Sequence, residues 1–139
     1  MKIIVLAGGE DQAALIIELK NRGHYVILID YFTNPPGKLF ADIHIKASTL
    51  DIDTVKEIAV KEKVDLVTTA CTDQALLSIA KISEDLNLPC YLSYQSALNV
   101  TNKLYMKKKL SDNDIPTGKF IISDGTIPDD INISFPFDS

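Results

Sequence analysis

Ile3 to Ala7 is an unbroken apolar run that stops at Gly8-Gly9, the pattern of a parallel strand covered on both faces. From Gln12 to Arg22, Leu15, Ile16 and Leu19 recur at helical spacing, and Gly23 stands where a left-handed residue would end the helix. Tyr25 to Ile29 is a second buried-strand run, closing on Asp30. Strand, helix and strand in such a short span predict a βαβ unit with a right-handed crossover.

The pattern continues past a loop at residues 31–42, which contains Asn34-Pro35-Pro36-Gly37. Ile43 to Ile45 predicts a short strand, and Asp51 or Asp53 can cap a helix that carries Val55, Ile58 and Ala59 on one face. Asp65 to Ala70 reads as the next strand. Thr72 reads as the N-cap of a helix reaching Asn87, with Leu76, Leu77, Ala80 and Leu86 inward. Pro89 to Leu92 predicts a further strand, followed by helical segments near Gln95–Asn99 and Asn102–Asn113, the latter anchored by Leu104 and Leu110. After the break at Ile115-Pro116-Thr117-Gly118, Lys119 to Ile122 predicts a last strand. Asp124-Gly125-Thr126 and Pro128-Asp129-Asp130 are turn signals with few apolar residues around them.

This alternation predicts an α/β fold: a Rossmann-like, open, mostly parallel sheet with helices on both faces over residues 1–122, and a linker over residues 123–139. Ligands of such sheets gather at the carboxyl ends of the strands. Four segments are expected to meet there: Gly8–Gln12, Asp30–Tyr31, Cys71–Gln74 and Ser93–Gln95.

Composition narrows the function classes. With 139 residues, 46 % of them hydrophobic, the chain can build one real core without disulfides or a structural metal. A formal net charge of -5, with no long basic stripe, argues against nucleic acid as the partner. Cys71 and Cys90 lie far apart with no ligand cluster around them, which suits buried thiols in a reducing compartment. The opening apolar run is too short for a signal peptide or a membrane span, so a cytoplasmic protein is expected. Oligomeric state has no sequence signature, and a homodimer stays open.

Candidate chemistry sits in three places. Gly8-Gly9-Glu10 joins the first strand to the first helix, where glycines let a ligand approach the free N–H groups. The dinucleotide fingerprint would need a glycine where Glu10 stands, so nicotinamide binding through this turn and Asp30 is disfavoured. Glu10 suits a substrate ammonium instead, and Asp30 suits a loop cap. Thr72 and Asp73 leave a strand end directly into a helix, which serves either capping or a cleft. Lys103 stands at a predicted helix start, where a cation opposes the macrodipole and an incoming phosphate would justify it. There is no HExxH, GxSxG, GxxxxGK[ST] or Cys/His ligand set.

Taken in order, these pieces resemble the amino-terminal, pre-ATP-grasp domain of ATP-grasp enzymes, notably the carbamoyl-phosphate synthase large-chain type and related carboxylate–amine ligases. The resemblance rests on Gly8-Gly9, Ala41-Asp42, Thr72-Asp73-Gln74-Ala75-Leu76, Leu88-Pro89 and Ala97-Leu98. It continues through Asn102-Lys103-Leu104-Tyr105-Met106-Lys107 and Ile115-Pro116-Thr117-Gly118-Lys119-Phe120. It implies a ligase that uses ATP and Mg to activate a small carboxylate as an acyl phosphate, which an amine then attacks. It also implies that Lys103 reaches the nucleotide phosphates, and that Gly8, Gly9, Glu10, Thr72 and Asp73 serve the acceptor substrate. The family's second nucleotide-binding lysine, glycine-rich loop and Mg ligands follow such a domain. Without an ATP-grasp domain as partner, these 139 residues are expected neither to hold Mg-ATP tightly nor to turn over. The alternative is a stand-alone Rossmann-like module that binds a small metabolite or nucleotide without catalysis.

Overall fold

A computed structural model describes residues 1–118 and Phe120. Lys2–Leu6 (β1), Tyr25–Asp30 (β2), Ile43–Lys46 (β3) and Leu66–Thr68 (β4) form one sheet in the order β3, β2, β1, β4. Every pairing is parallel, with Ile4 beside Ile27 and Val67, and Ile29 beside Ile45. The sheet is therefore fully parallel among the described residues, as the continuous apolar runs require.

Alternate residues of the central strands feed two cores. Ile3, Val5, Val26 and Leu28 pack with Ile16 of helix α1 (Glu10–Asn21) on one face. Ile4, Leu6, Ile27 and Ile29 pack on the other face with Val55 and Ala59 of α2 (Ile52–Glu62) and Ala75, Ile79 and Ile82 of α3 (Asp73–Leu86). Helices thus cover both faces, as expected. Burial of each isoleucine side chain contributes roughly 1.5–3 kcal/mol, which makes these two layers the main source of stability.

Local signals set the helix ends. Helix α1 begins at Glu10, two residues before the expected Gln12, so Glu10 and Asp11 lie in its first turn where the dipole favours them. Gly23 takes φ +78 just past its end, a conformation that favours glycine. Asp51, not Asp53, caps α2 by accepting from Thr54 N at 3.1 Å. Left-handed Lys63 and Asn87 close α2 and α3.

Two expectations need correction. Residues 89–92 form no strand: Pro89 has no N–H to give a ladder, and Leu88 and Cys90 pack against the core instead. Helix α4 (Tyr94–Thr101), set against α3, takes up the chain after them. Helix α5 (Lys103–Asp112) buries no residue, so Leu104, 44 % exposed, does not anchor it. The predicted strand at residues 119–122 lies outside the described residues except for Phe120. The predicted linker lies outside the described residues. Among the described residues no helix is long and apolar enough to cross a membrane.

Candidate functional site

Three of the four expected segments meet at the carboxyl edge of the sheet. They line a cleft of about 490 Å³ whose walls include Ala7 and Gly9 after β1, Asp30 to Pro36 after β2, Thr49 after β3, and Thr72 and Gln74 after β4. Ser93–Gln95 does not join them. Tyr94 N donates to Glu84 Oε1 near the end of α3, which places this segment at the opposite end of the helix whose start borders the cleft. The missing strand at residues 89–92 is the reason, because only a fifth parallel strand would have carried the chain back to the edge.

Asp30 organises the centre of the cleft. Its buried carboxylate accepts from Gly8 N and from Phe32 N, each at 2.7 Å, and so clasps the loops after β1 and β2 together. Gly37 N also donates to Gly8 O at 2.8 Å. Both carboxylate oxygens are engaged by backbone donors, which fits the loop-capping role. Gly8 lies beneath this clasp: a Cβ there would stand 2.8 Å from Pro35 Cβ and 3.1 Å from Leu28 Cδ2. The glycine is needed because the loop presses on it. Gly8 is buried, whereas Gly9 is exposed and lines the cleft.

A second clasp joins α1 to the β4–α3 turn. Gln12 is buried, and its Nε2 donates to Ala70 O and, at 2.8 Å, to Thr72 Oγ1. Thr72 holds the N-cap position of α3, but its hydroxyl donates back to Ala70 O at 3.1 Å and makes no cap bond to the helix. Ala7 (φ 67) and Cys71 (φ 51) are left-handed, and neither ends a helix. Each follows a strand that runs to the cleft edge, and such conformations cost about 1–2 kcal/mol apiece outside glycine. Strain is thus concentrated where the loops leave the sheet.

Glu10 follows Gly9 on the exposed first turn of α1, and Asp73 is exposed on the first turn of α3. A smaller hollow of about 300 Å³ adjoins the cleft across Gln74, lined also by Leu50, Asp73, Leu77, Thr101 and Asn102. Asn102 caps α5, with Oδ1 accepting from Leu104 N at 3.0 Å and Tyr105 N at 3.3 Å. Lys103 is therefore the first helical residue, exposed, one position from a wall of that hollow. The expected residues Gly9, Thr72, Asp73 and Lys103 come to one side of the molecule, while Gly8 lies beneath it.

Sequence reasoning placed Gln12, Gln74 and Tyr31 in the strand-end segments without singling them out, and missed Thr49 and Phe32; the Tyr31 and Phe32 rings stand 4.0 Å apart. Gln12 carried a signal: a polar residue on the inward side of a first helical turn needs buried partners. Elsewhere, hydrogen bonds from Lys56 and Lys81 hold the Asp85 carboxyl below its ordinary range. At Asp42, burial opposes the charge, but a hydrogen bond from Lys20 and one from Val26 N outweigh it and keep the carboxyl low. Both belong to the frame.

No protein-family model and no curated protein sequence matches the chain. Solved structures do. Phosphoribosylglycinamide synthetase from Anaerococcus prevotii superposes with a TM-score of 0.72 at 23 % identity, over 81 % of this chain and 29 % of that one. N5-carboxyaminoimidazole synthetase from Staphylococcus aureus, in complex with ADP, gives 0.64 at 20 % identity over 80 % and 29 %. L-amino acid ligase from Bacillus licheniformis gives 0.63 at 22 % over 84 % and 29 %. The chain spans less than a third of the length of each of these three, matched through their amino-terminal regions. It has the Rossmann-like fold of the amino-terminal region of ATP-grasp ligases.

Proposed function

We propose that this chain is the substrate-side domain of an ATP-dependent carboxylate–amine ligase. The observation that carries the proposal is a strand-end cleft joined across Gln74 to a smaller hollow that the capped start of α5 borders, in a fold shared with such ligases. In that reaction Mg-ATP supplies the phosphoryl group that activates a carboxylate as an acyl phosphate. The acceptor nitrogen then forms the C–N bond as the C–O bond to phosphate breaks, giving an amide, inorganic phosphate and a proton. Catalysis of this kind is chiefly positioning and neutralisation of charge.

The residues of this chain suit the positioning half. Gly9 and Thr72 border the cleft, and the carboxylates of Glu10 and Asp73 favour an ammonium at that end. Lys103, at the start of α5, suits a phosphate oxygen, because the helix N-terminus adds its own partial positive charge. Among the described residues no three His, Cys, Asp or Glu side chains are placed to hold a metal ion. The finer likeness to carbamoyl-phosphate synthase and the role of Gly8 as a substrate contact belong to the same proposal. Gly8 would act there by letting Pro35 approach.

The test uses the product of the continuous reading frame. ADP formation should require both a carboxylate and an amine, and Lys103→Ala should raise the KM for ATP roughly tenfold, as loss of one charge-assisted phosphate contact does, with thermal unfolding unchanged. An unchanged ATP dependence would reduce Lys103 to a surface charge. A frame that encodes no nucleotide-binding lysine strand, glycine-rich loop and acidic ligands would remove the ligase.

A further inference from the structure

The walls of the carboxyl-edge cleft are apolar or neutral with one exception, and that exception is already engaged. Tyr31, Phe32, Pro35 and Pro36 line it on the loop after β2, and Asp30 is its only charged wall residue among the described residues. Both Asp30 oxygens accept from backbone donors, Gly8 N and Phe32 N, so the carboxylate has little left for a ligand cation. Lys38 and Lys46 stand outside the walls, with their ammoniums donated to Thr33 and Asn34. An anion entering this cleft would shed water and find no opposite charge in its walls, which is costly.

Tyr31 and Phe32 leave 59 % and 56 % of their surface exposed, although their rings lie side by side. Two flat apolar faces left wet together gain from a third ring, which removes water and extends the stack. Their loop is held before any ligand arrives by the Asp30–Phe32 bond and by Gly37 N donating to Gly8 O, so stacking orders little chain. The polar capacity that remains in the walls is neutral too. Thr33 Oγ1 and Thr72 Oγ1 are occupied by Lys46 and Gln12, whereas the side chains of Thr49 and Gln74 make no hydrogen bond among the described residues. A hydroxyl and a carboxamide suit an amide-type ligand edge, which carries donor and acceptor without charge.

The cleft volume of about 490 Å³ falls within the range of small-molecule sites, roughly 300–1,000 Å³. We infer that the cleft binds an uncharged, planar ring that bears an amide-type group. The ring stacks on Tyr31 and Phe32, and its amide edge meets Thr49 and Gln74. A carboxylate or phosphate on that ring is selected against. This deepens the substrate-side reading above and rests on it only for the ring's place as part of a ligase substrate.

Titration of the 139-residue chain with benzamide, without nucleotide and followed by amide NMR shifts of Gly9, Phe32 and Gln74, tests the inference. Benzamide should bind saturably in the low-millimolar range expected of so small a fragment. Benzoate and phenyl phosphate, which carry the excluded charge, should bind at least about fivefold more weakly. Cyclohexanecarboxamide, which keeps the amide but lacks the flat face, should bind at least about threefold more weakly. The double variant Tyr31→Ala, Phe32→Ala should weaken benzamide at least about fivefold and keep the wild-type thermal unfolding, since both side chains lie mostly in water. Gln74→Leu should weaken it about threefold through the lost hydrogen bond. Four results would overturn the inference: benzoate or phenyl phosphate binding as tightly as benzamide, equal affinity for cyclohexanecarboxamide, benzamide affinity that survives in the double variant, or no saturable shift with benzamide. Loss of the ligase reading would appear as absent ADP formation and leave these titrations standing, so the two failures can be told apart.

Discussion

Between Lys2 and Leu88 a fully buried apolar core lies on both faces of a sheet; between Tyr94 and Asp112 only Ala97 is fully buried. The sheet and its three helices bury nine large side chains among Ile3, Ile4, Leu6, Ile16, Ile27, Leu28, Ile29, Ile79 and Ile82. Helix α4 buries only Ala97, and α5 buries nothing, leaving Val100, Leu104 and Tyr105 about half exposed. The difference separates the two halves of the candidate chemistry. The acceptor cleft stands on the rigid layer and is braced by Asp30 and Gln12, whereas Lys103 rides on a helix held by the Asn102 cap and by α4. Elements with few buried contacts open at low free energy, so the lysine's position should be softer than the cleft's.

The sharpest way to break this contrast is a pair of truncations. Ile27→Ala removes a fully buried side chain from the two-sided sheet and should cost 2–5 kcal/mol, or about that range, by urea unfolding. Leu104→Ala on α5 should stay within about 0.5 kcal/mol, since its side chain is already largely in water. Comparable losses at the two positions would mean that α5 contributes to the core after all.

A smaller effect is expected at the cleft itself. Asp30→Ala leaves the N–H groups of Gly8 and Phe32 without their acceptor, at roughly 1–3 kcal/mol for a buried orphan donor. The loss should be local as well as global. Amide exchange at Gly8 and Phe32 should accelerate in Asp30→Ala while Ile4 and Ile27 keep their protection relative to overall stability. If those two amides stay as protected as in the wild type, the clasp is not what fixes the loop.

The sheet was legible in the sequence because parallel strands covered on both faces write continuous apolar runs: Ile3 to Ala7 and Tyr25 to Ile29 admit little else. The strand misread at Pro89–Leu92 shows the limit, since a short apolar run looks the same whether it joins a ladder or fills the space beside one. The position of helix α5 was legible, but its burial was not, because Leu104 and Leu110 say nothing about what lies opposite them. The strand-end positions of Gly9, Thr72 and Asp73 were legible from where strands end. The approach of Lys38 and Lys46 to Thr33 was not legible, since it depends on the β2–β3 pairing and on how residues 31–38 fold back. Gly8 was legible as a tight turn, yet its cause is the tertiary pressure of Pro35.

The smallest effect concerns the charges that tie α2 to α3, a kind of link that α5 lacks among the described residues. Asp85 on α3 accepts from Lys56 on α2 at 2.6 Å and from Lys81 on its own helix, and both hold its carboxyl below the ordinary value of 3.8. A depressed carboxylate binds its proton more weakly in the folded chain than in the unfolded one. Its contribution is therefore fully present above the unfolded value and is lost as pH falls through the lower folded one. Lys56→Gln should lower stability slightly at about pH 6, and the difference from wild type should close as the pH drops below about 3.8. Salt should shrink it too, because the pair is near water. A deficit that stayed constant across that range would show that Lys56 acts through its aliphatic stem on the α2–α3 contact and not through its charge.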